Sequence, residues 1–331
     1  MAEVAITEPR RLQGLGAPLG LVALLTAFGL LLRASDPGQI AGVQNFLLVF
    51  GSLLIEAVPF VLLGATVSAG IEVFVPAGVF EKLALLPRPL QLPVAGIAGM
   101  AFPVCECGSV PVARRMAVKG LMPSAAVTFM LSSPILNPIV IISTVVAYRG
   151  RDALWPIVLG RIGLGLVAAV AVGWVVANRT AGELLRPREV DSHHDEGGPR
   201  IARFFSHLTG DFIFMGRYLV FGAAIAGLMQ TVVPQDVLGS IAGTPVLDAV
   251  VLMGLAFLLS LCSESDAFVA ASFVQFGVGA QLAFLVFGPM VDVKLGFLYR
   301  ATFSKGFLST VVLVAGTVTL AGTLWIEVIS P

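Results

Sequence analysis

Charge is what this chain has least of. Only 12% of its 331 residues are Asp, Glu, Lys or Arg, about half the ~25% usual in a soluble domain. Acidic and basic residues balance at 20 each, with no basic amphipathic run, so the footprint of a nucleic-acid binder is missing. Cysteine is scarce too. Cys105, Cys107 and Cys262 sit in apolar surroundings and do not make the framework of a secreted disulfide protein. No GxxxxGK[ST] motif offers a nucleotide as a direct power source. The opening MAEVAITEPRRLQG lacks the basic region and cleavage site of a signal peptide, so the apolar run that follows is expected to stay as an anchor.

What is abundant is apolar surface. Hydrophobic residues make up 57% of the chain and mean hydropathy is +0.96, which predicts an all-α polytopic membrane protein. Nine apolar segments follow, near 17–33, 42–72, 93–117, 122–147, 153–178, 207–232, 246–272, 279–300 and 303–328. The long polar stretch NRTAGELLRPREVDSHHDEGGPRIAR, 178–203, is charged and contains Gly and Pro, so it reads as a flexible linker. His193 and His194 within it, beside acidic residues, are read as a solvated charged loop rather than a metal site. The expected organisation is a cytoplasmic tail and anchor over 1–41, a membrane repeat over 42–178, a cytoplasmic linker over 179–206 and a second repeat over 207–331.

The repeat is carried by matched landmarks. Cys105-Glu106-Cys107-Gly108-Ser109 has a counterpart in Cys262-Ser263-Glu264-Ser265-Asp266. Gly120, Ala125, Phe129 and Pro134 match Gly277, Ala280, Phe284 and Pro289, and Gly64-Ala65 matches Gly222-Ala223. Charge bears on the topology. If all nine segments cross, the loop Lys and Arg divide evenly and the positive-inside rule gives no orientation. If 93–117 and 246–272 dip in and return, Arg33, Arg149 and Arg151 lie on one face and the others, Arg114, Arg115 and Lys294 among them, on the opposite face. The expectation is therefore two inverted repeats, about seven crossing helices and two re-entrant helical hairpins, with the N-terminus cytoplasmic. The alternative is eight or nine fully spanning helices with kinks at the motifs.

In FPVCECGSVPVARR, Pro103 and Gly108 allow a chain reversal, with CECGS as its apex and Ser109 as N-cap of the returning half-helix. Ser265 and Asp266 take the same part in the second half. Three cysteines at two matched apices suit a soft, thiophilic species, whether a metal such as Cu(I) or Zn(II) or a trivalent arsenical. Glu106, Glu264, Asp266 and Asp292 are candidate proton carriers, because intramembrane carboxylates are costly and mark ion or substrate paths. LSSPILNP places Ser133, Pro134 and Asn137 in one broken helix, and FGPMVDVK places Asp292 and Lys294 in its counterpart. Lys294 is expected to pair with Asp292, or to reach Glu264 or Asp266. Glu56, Arg161 and Arg217 also need partners, and Arg217 with Glu56 is the expected pair.

FPVCECGSVPVARRMAVKGLMPSAAVTFMLSSPILNP together with LCSESDAFVA resembles the predicted permease family that includes the ArsP-type arsenical permeases. The resemblance runs from about Phe46 to Trp325. It implies a multi-pass permease of the bacterial inner membrane, and for its ArsP-type members export of trivalent organoarsenicals with cysteines handling the substrate. It places Cys105, Cys107 and Cys262 as the thiol positions and Glu106, Glu264 and Asp266 as the acidic ones. The expected function is thus a secondary transporter working by proton-coupled alternating access on a small molecule or ion. No cofactor and no nucleic acid are expected, the lipid bilayer is the surroundings, and homo-oligomerisation stays open. Transport of an unrelated metal ion or sulfur compound is one competing reading. The other is an intramembrane thiol oxidoreductase using Cys105 and Cys107, weakened by the strained ring that Cys-x-Cys would close.

Overall fold

The computed structural model describes residues 41–76, 78–80, 87–102, 104–187, 199–232 and 244–329. The expected anchor at 17–33 and the His193–His194 pair lie outside them. The described residues are helical, apart from turns and one isolated bridge. Among the described residues, five helical stretches are long and apolar enough to cross a membrane: Gly42–Phe74, Pro123–Ala147, Leu154–Val175, Arg200–Thr231 and Phe307–Glu327. Uninterrupted helices account for four of them: α1 (Ala41–Phe74), α6 (Leu154–Val175), α8 (Arg200–Val232) and α13 (Phe307–Ile329). The chain is a multi-pass membrane protein.

The other apolar segments are each cut in two, at places their residues dictate. The stretch 88–118 divides into α2 (Arg88–Ala98), a 3-10 turn at Gly99–Ala101 and α3 (Glu106–Val118). Phe102 is extended, and so is Cys105 at φ −75° and ψ 177°, the N-cap position of α3. At about 1.5 Å per residue neither half alone reaches across a ~30 Å hydrocarbon core. The segment after it divides at Asn137 into α4 (Pro123–Leu136) and α5 (Pro138–Ala147). Pro138 disfavours helical geometry at the preceding residue, and the Asn137 side chain caps α5 by accepting from Ile139 N at 3.0 Å.

The second half breaks in the same order. After α7, a single turn at Ala181–Leu184, and after α8, helix α9 (Pro245–Leu259) ends at Ser260, a non-glycine residue at φ 47°. Left-handed backbone at such a residue costs about 1–3 kcal/mol and persists where the surroundings hold it. Here Ser260 Oγ accepts from Val293 N and donates to Phe257 O, both at 3.1 Å. Helix α10 (Asp266–Ser272) follows, then α11 (Val278–Phe287) and α12 (Val293–Thr302). Asp292 caps α12 by accepting from Leu295 N at 2.6 Å, as Asn137 caps α5.

Packing repeats as well. Helix α4 packs on α2, α3 and α6, while α11 packs on α9, α10 and α13. The cut pieces are exchanged, since α10 rests on α5 and α3 rests on α12. Phe129 and Phe284, matched in sequence, are both buried. The landmark glycines permit close backbone approach: a Cβ on Gly64 would lie within van der Waals overlap of Gly108 Cα, and one on Gly222 would lie 2.8 Å from Lys294 Cα.

Two expectations are corrected here. The polar linker is not structureless over its described part. Thr180 and Glu183 form a capping box around α7, whose hydrogen bonds hold the exposed Glu183 carboxyl below its usual range. Leu185 then bridges Phe303, with Arg186 N donating to Thr302 O and Ser304 N to Leu184 O. Helix α8 starts at Arg200, inside the expected linker, because 200–206 continues its helical run. Arg114, Arg115 and Lys294, weighed above as loop charges, are buried. Their partners are Thr302 O and Arg186 O for Arg114, Glu72 and Asp211 for Arg115, and Glu106 and Asp292 for Lys294.

Candidate functional site

The breaks at 102–105 and 260–265 bring thiols and carboxylates from distant parts of the chain together. One ligand atom each of Cys105, Glu106 and Cys262 lies within 4.8 Å of the other two, and all three residues are buried. The three cysteines are free thiols. Cys107, buried on the first turn of α3, is not part of that close triad. Ser263 Oγ donates to Glu106 Oε2 at 3.1 Å, joining residues 157 positions apart. The other oxygen, Glu106 Oε1, has no hydrogen-bond partner and faces Lys294 Nζ at 3.8 Å. Lys294 Nζ also stands 3.7 Å from Asp292 Oδ2. Lys294 therefore pairs with Asp292 as expected, and its further partner is Glu106 rather than Glu264 or Asp266.

The acidic residues of the second break divide into held and unheld. Asp266 is gripped by Arg161 through two 2.8 Å hydrogen bonds, Nη1 to Oδ1 and Nη2 to Oδ2. Arg161 also donates to Thr144 Oγ1 at 3.0 Å and to Ser263 O at 3.3 Å. A bidentate guanidinium–carboxylate pair is the geometry that makes a buried charge tolerable. Glu264 is the opposite: both carboxylate oxygens are buried without a hydrogen-bond partner. A buried unpaired carboxylate is strongly disfavoured as an anion, so this group calls for a proton or a cation. Glu56 accepts from Ser265 Oγ at 2.8 Å. Arg217 is not its partner, and its guanidinium instead stands over the Phe214 ring at 6.0 Å. The expected Glu56–Arg217 pair fails because sequence gave each an unmet charge and no register between α1 and α8.

Ser109 is not the cap of α3. The helix opens three residues earlier at Glu106, Cys105 holds the cap position without a side-chain hydrogen bond, and Ser109 Oγ donates back to Glu106 O at 3.0 Å. Pro111 lies inside α3, in its second turn, and Glu106 to Ser109, expected at an apex, are helical. Ser265 does occupy the cap position of α10, with its hydroxyl donated to Glu56 and to Cys262 O. Gly108 meets Gly64, and Ser133 and its neighbour Ser132 bond backward to Gly99 O and Gly96 O at 3.3 and 2.9 Å, tying α4 to the break. Pro134 is buried inside α4, and Asn137, besides capping α5, keeps a buried Nδ2 without a partner.

A second polar cluster escaped the sequence reading. Arg115 places Nη1 3.7 Å from Glu72 Oε2 and Nη2 3.6 Å from Asp211 Oδ1. The same Nη2 lies 3.3 Å from His207 Nδ1. Ser68 Oγ donates to Asp211 Oδ2 at 2.7 Å. Lys119 Nζ donates to the carbonyls of Ile71, Glu72 and Val75, capping the end of α1. Arg114, one position from Arg115 and so on another face of α3, donates to Thr302 O and Arg186 O at 3.3 and 2.7 Å. Glu72, His207 and Asp211 lie in the same apolar segments that drew attention to Glu56 and Arg217. Applied to them, the cost of intramembrane charge would have marked this cluster too.

Comparison with known proteins gives this architecture a place. The profile of the family described as predicted permease, ArsP_1, matches residues 42–327. The UPF0718 protein YcgR of Bacillus subtilis is 39% identical over 284 residues, covering 84% of this chain and 96% of that protein. A Streptococcus mutans protein named as a two-component membrane permease complex subunit is 34% identical over 274 residues, covering 81% of this chain and 90% of its own length. No solved structure matches significantly. A permease is a transporter rather than an enzyme, and with its family profile spanning both breaks and every helix of the site, the chain belongs to the predicted permease family.

Proposed function

We propose that this protein is a secondary transporter of a small thiophilic solute, a trivalent organoarsenical being the type that fits best, which it exports across the bacterial inner membrane. The observation that carries this reading is the triad of Cys105, Glu106 and Cys262 with mutually close ligand atoms in a buried site. Two thiols suit a monosubstituted arsenic(III) centre, R–As(OH)2. Each thiol displaces one hydroxyl as water, two As–S bonds replace two As–O bonds, and no oxidant or reductant is needed. Glu106 stands beside the reacting atoms to move the thiol protons.

The two halves act as inverted repeats, and the motif breaks are re-entrant hairpins meeting at the site. The reciprocal packing of α10 on α5 and α3 on α12 supports this, as do the matched caps Asn137 and Asp292. Rocking of one half against the other gives alternating access. Proton coupling runs through a carboxylate, and among Glu106, Glu264, Asp266 and Asp292 the best placed is Glu264. Asp266 is held by Arg161 and Asp292 by the Leu295 amide and Lys294, whereas Glu264 has two unpartnered oxygens. The N-terminus and the linker face the cytoplasm. The name of the Streptococcus mutans relative makes a second membrane subunit an expectation for this chain as well.

The test is uptake of a trivalent methylarsenical into everted vesicles. Cys105→Ser and Cys262→Ser are each expected to lower flux by more than about tenfold. Undiminished flux in both variants would remove the thiols from cargo handling.

A further inference from the structure

Helix α3 carries the thiol site at one end and the second cluster at the other. Glu106 opens the helix and Arg115 lies nine residues on, about 13 Å along the axis. Arg115 joins three helices, because Glu72 belongs to α1 while His207 and Asp211 belong to α8. One contact fixes a protonation state. A guanidinium only donates and is always charged, so His207 Nδ1, 3.3 Å from Arg115 Nη2, must accept with its lone pair. His207 is therefore neutral here, with its proton on Nε2. A proton added at Nδ1 would set an N–H against an N–H and one positive charge against another.

The same proton has a waiting partner. His207 and Asp211 are four apart on α8, neighbours on one helical face. We propose that His207 and Asp211 form a proton-operated latch: a proton taken from water onto His207 Nδ1 breaks its contact with Arg115, and the imidazolium draws Asp211 away from Arg115 into a pair within α8. The charged groups facing His207 are Arg115 from α3, Glu72 from α1, and Asp211 and Arg203 on its own helix. Glu72 stays with Arg115, so the guanidinium is not left alone. Ser68 Oγ continues to donate to Asp211. The change unfastens α8, the first helix of the second half, from the helix that presents Cys105 and Glu106. Protonation thereby frees the halves to move, a second proton site distinct from Glu264. The role in transport rests on the permease reading above, whereas the exchange of partners does not.

Hydrogen exchange on the purified full chain in nanodiscs reads the latch without any cargo. Corrected for intrinsic pH effects, amides of 200–211 in the wild type are expected to lose roughly tenfold protection as pH falls from about 7.5 to 4.5. His207→Gln keeps a neutral acceptor for Arg115 and should abolish that step. Asp211→Asn, which removes the negative charge that draws the imidazolium, should abolish it as well. No step in the wild type, or the same step in His207→Gln, overturns the proposal. Flux of a trivalent methylarsenical in vesicles should rise on acidification in the wild type and rise less in His207→Gln, where only the dependence carried by Glu264 remains. A step in exchange with no flux in any variant would support the latch and sink the substrate assignment instead.

Discussion

The two chain breaks share an order of residues and differ in what holds them. At the first, Cys105 caps a 13-residue helix and Glu106 keeps one oxygen without a hydrogen bond. At the second, Ser260 sits in left-handed backbone, the helix that follows has seven residues, and Asp266 is clamped by Arg161. The first break is stiffened by its backbone, with Gly108 against Gly64, and the second by side chains anchored in the other half. Similar residues at the two breaks are thus held differently, and charge pairing decides which keep atoms available. The available ones are Glu106 Oε1, Glu264 and the thiols, gathered from both breaks.

Removing the clamp should blur this contrast most. Arg161→Leu leaves Asp266 buried without its partner and should cost about 3–5 kcal/mol, read as a lower unfolding temperature in detergent. Arg161→Leu with Asp266→Leu should recover most of that loss; no recovery would mean the pair does not explain the rigidity. Next in size is the backbone contact at the first break. Gly64→Ala puts a Cβ into Gly108 and is expected to cost about 1–3 kcal/mol. Gly222→Ala meets Lys294 at 2.8 Å, so it should cost about as much and also disturb flux. Equal thermal stability of Gly64→Ala and wild type would show that the helices part without strain.

Smaller effects sharpen the comparison of caps. Asn137→Ala removes one cap and should cost about 1 kcal/mol. Asp292→Ala should cost more, since Lys294 then loses one of its two carboxylates. The smallest expected change is Cys107→Ser. Cys107 stands outside the close triad, so flux should fall less than about threefold, well short of the losses for Cys105→Ser and Cys262→Ser. A loss equal to theirs would enlarge the site to three thiols.

Much of the helical layout was legible in the chain. Apolar runs located the segments from 42 onward, since about 20 such residues are what a bilayer demands. Proline located the break at LSSPILNP, because Pro138 disfavours helical geometry at Asn137, and the Gly288-Pro289 pair marked the break at FGPMVDVK. The candidate list also held the residues that meet at the site, Cys105, Glu106, Cys262, Ser263, Asp292 and Lys294. Partner choice was not legible. Arg114 and Arg115 look like the charged end of a hairpin, yet their guanidinium groups are buried against Arg186, Thr302, Glu72 and Asp211. Glu56 and Arg217 look complementary and do not meet.

The sequence by itself determined that the chain lives in a membrane and which of its apolar segments are interrupted, because hydropathy and backbone geometry act over a few neighbouring residues. Only the tertiary structure decided that Arg161 holds Asp266, that Lys294 stands between Glu106 and Asp292, and that Cys105 finds Cys262 rather than only its neighbour Cys107. These pairings depend on the register and rotation of helices more than a hundred residues apart. A shift of one residue turns a side chain by about 100° and moves its charge to another face.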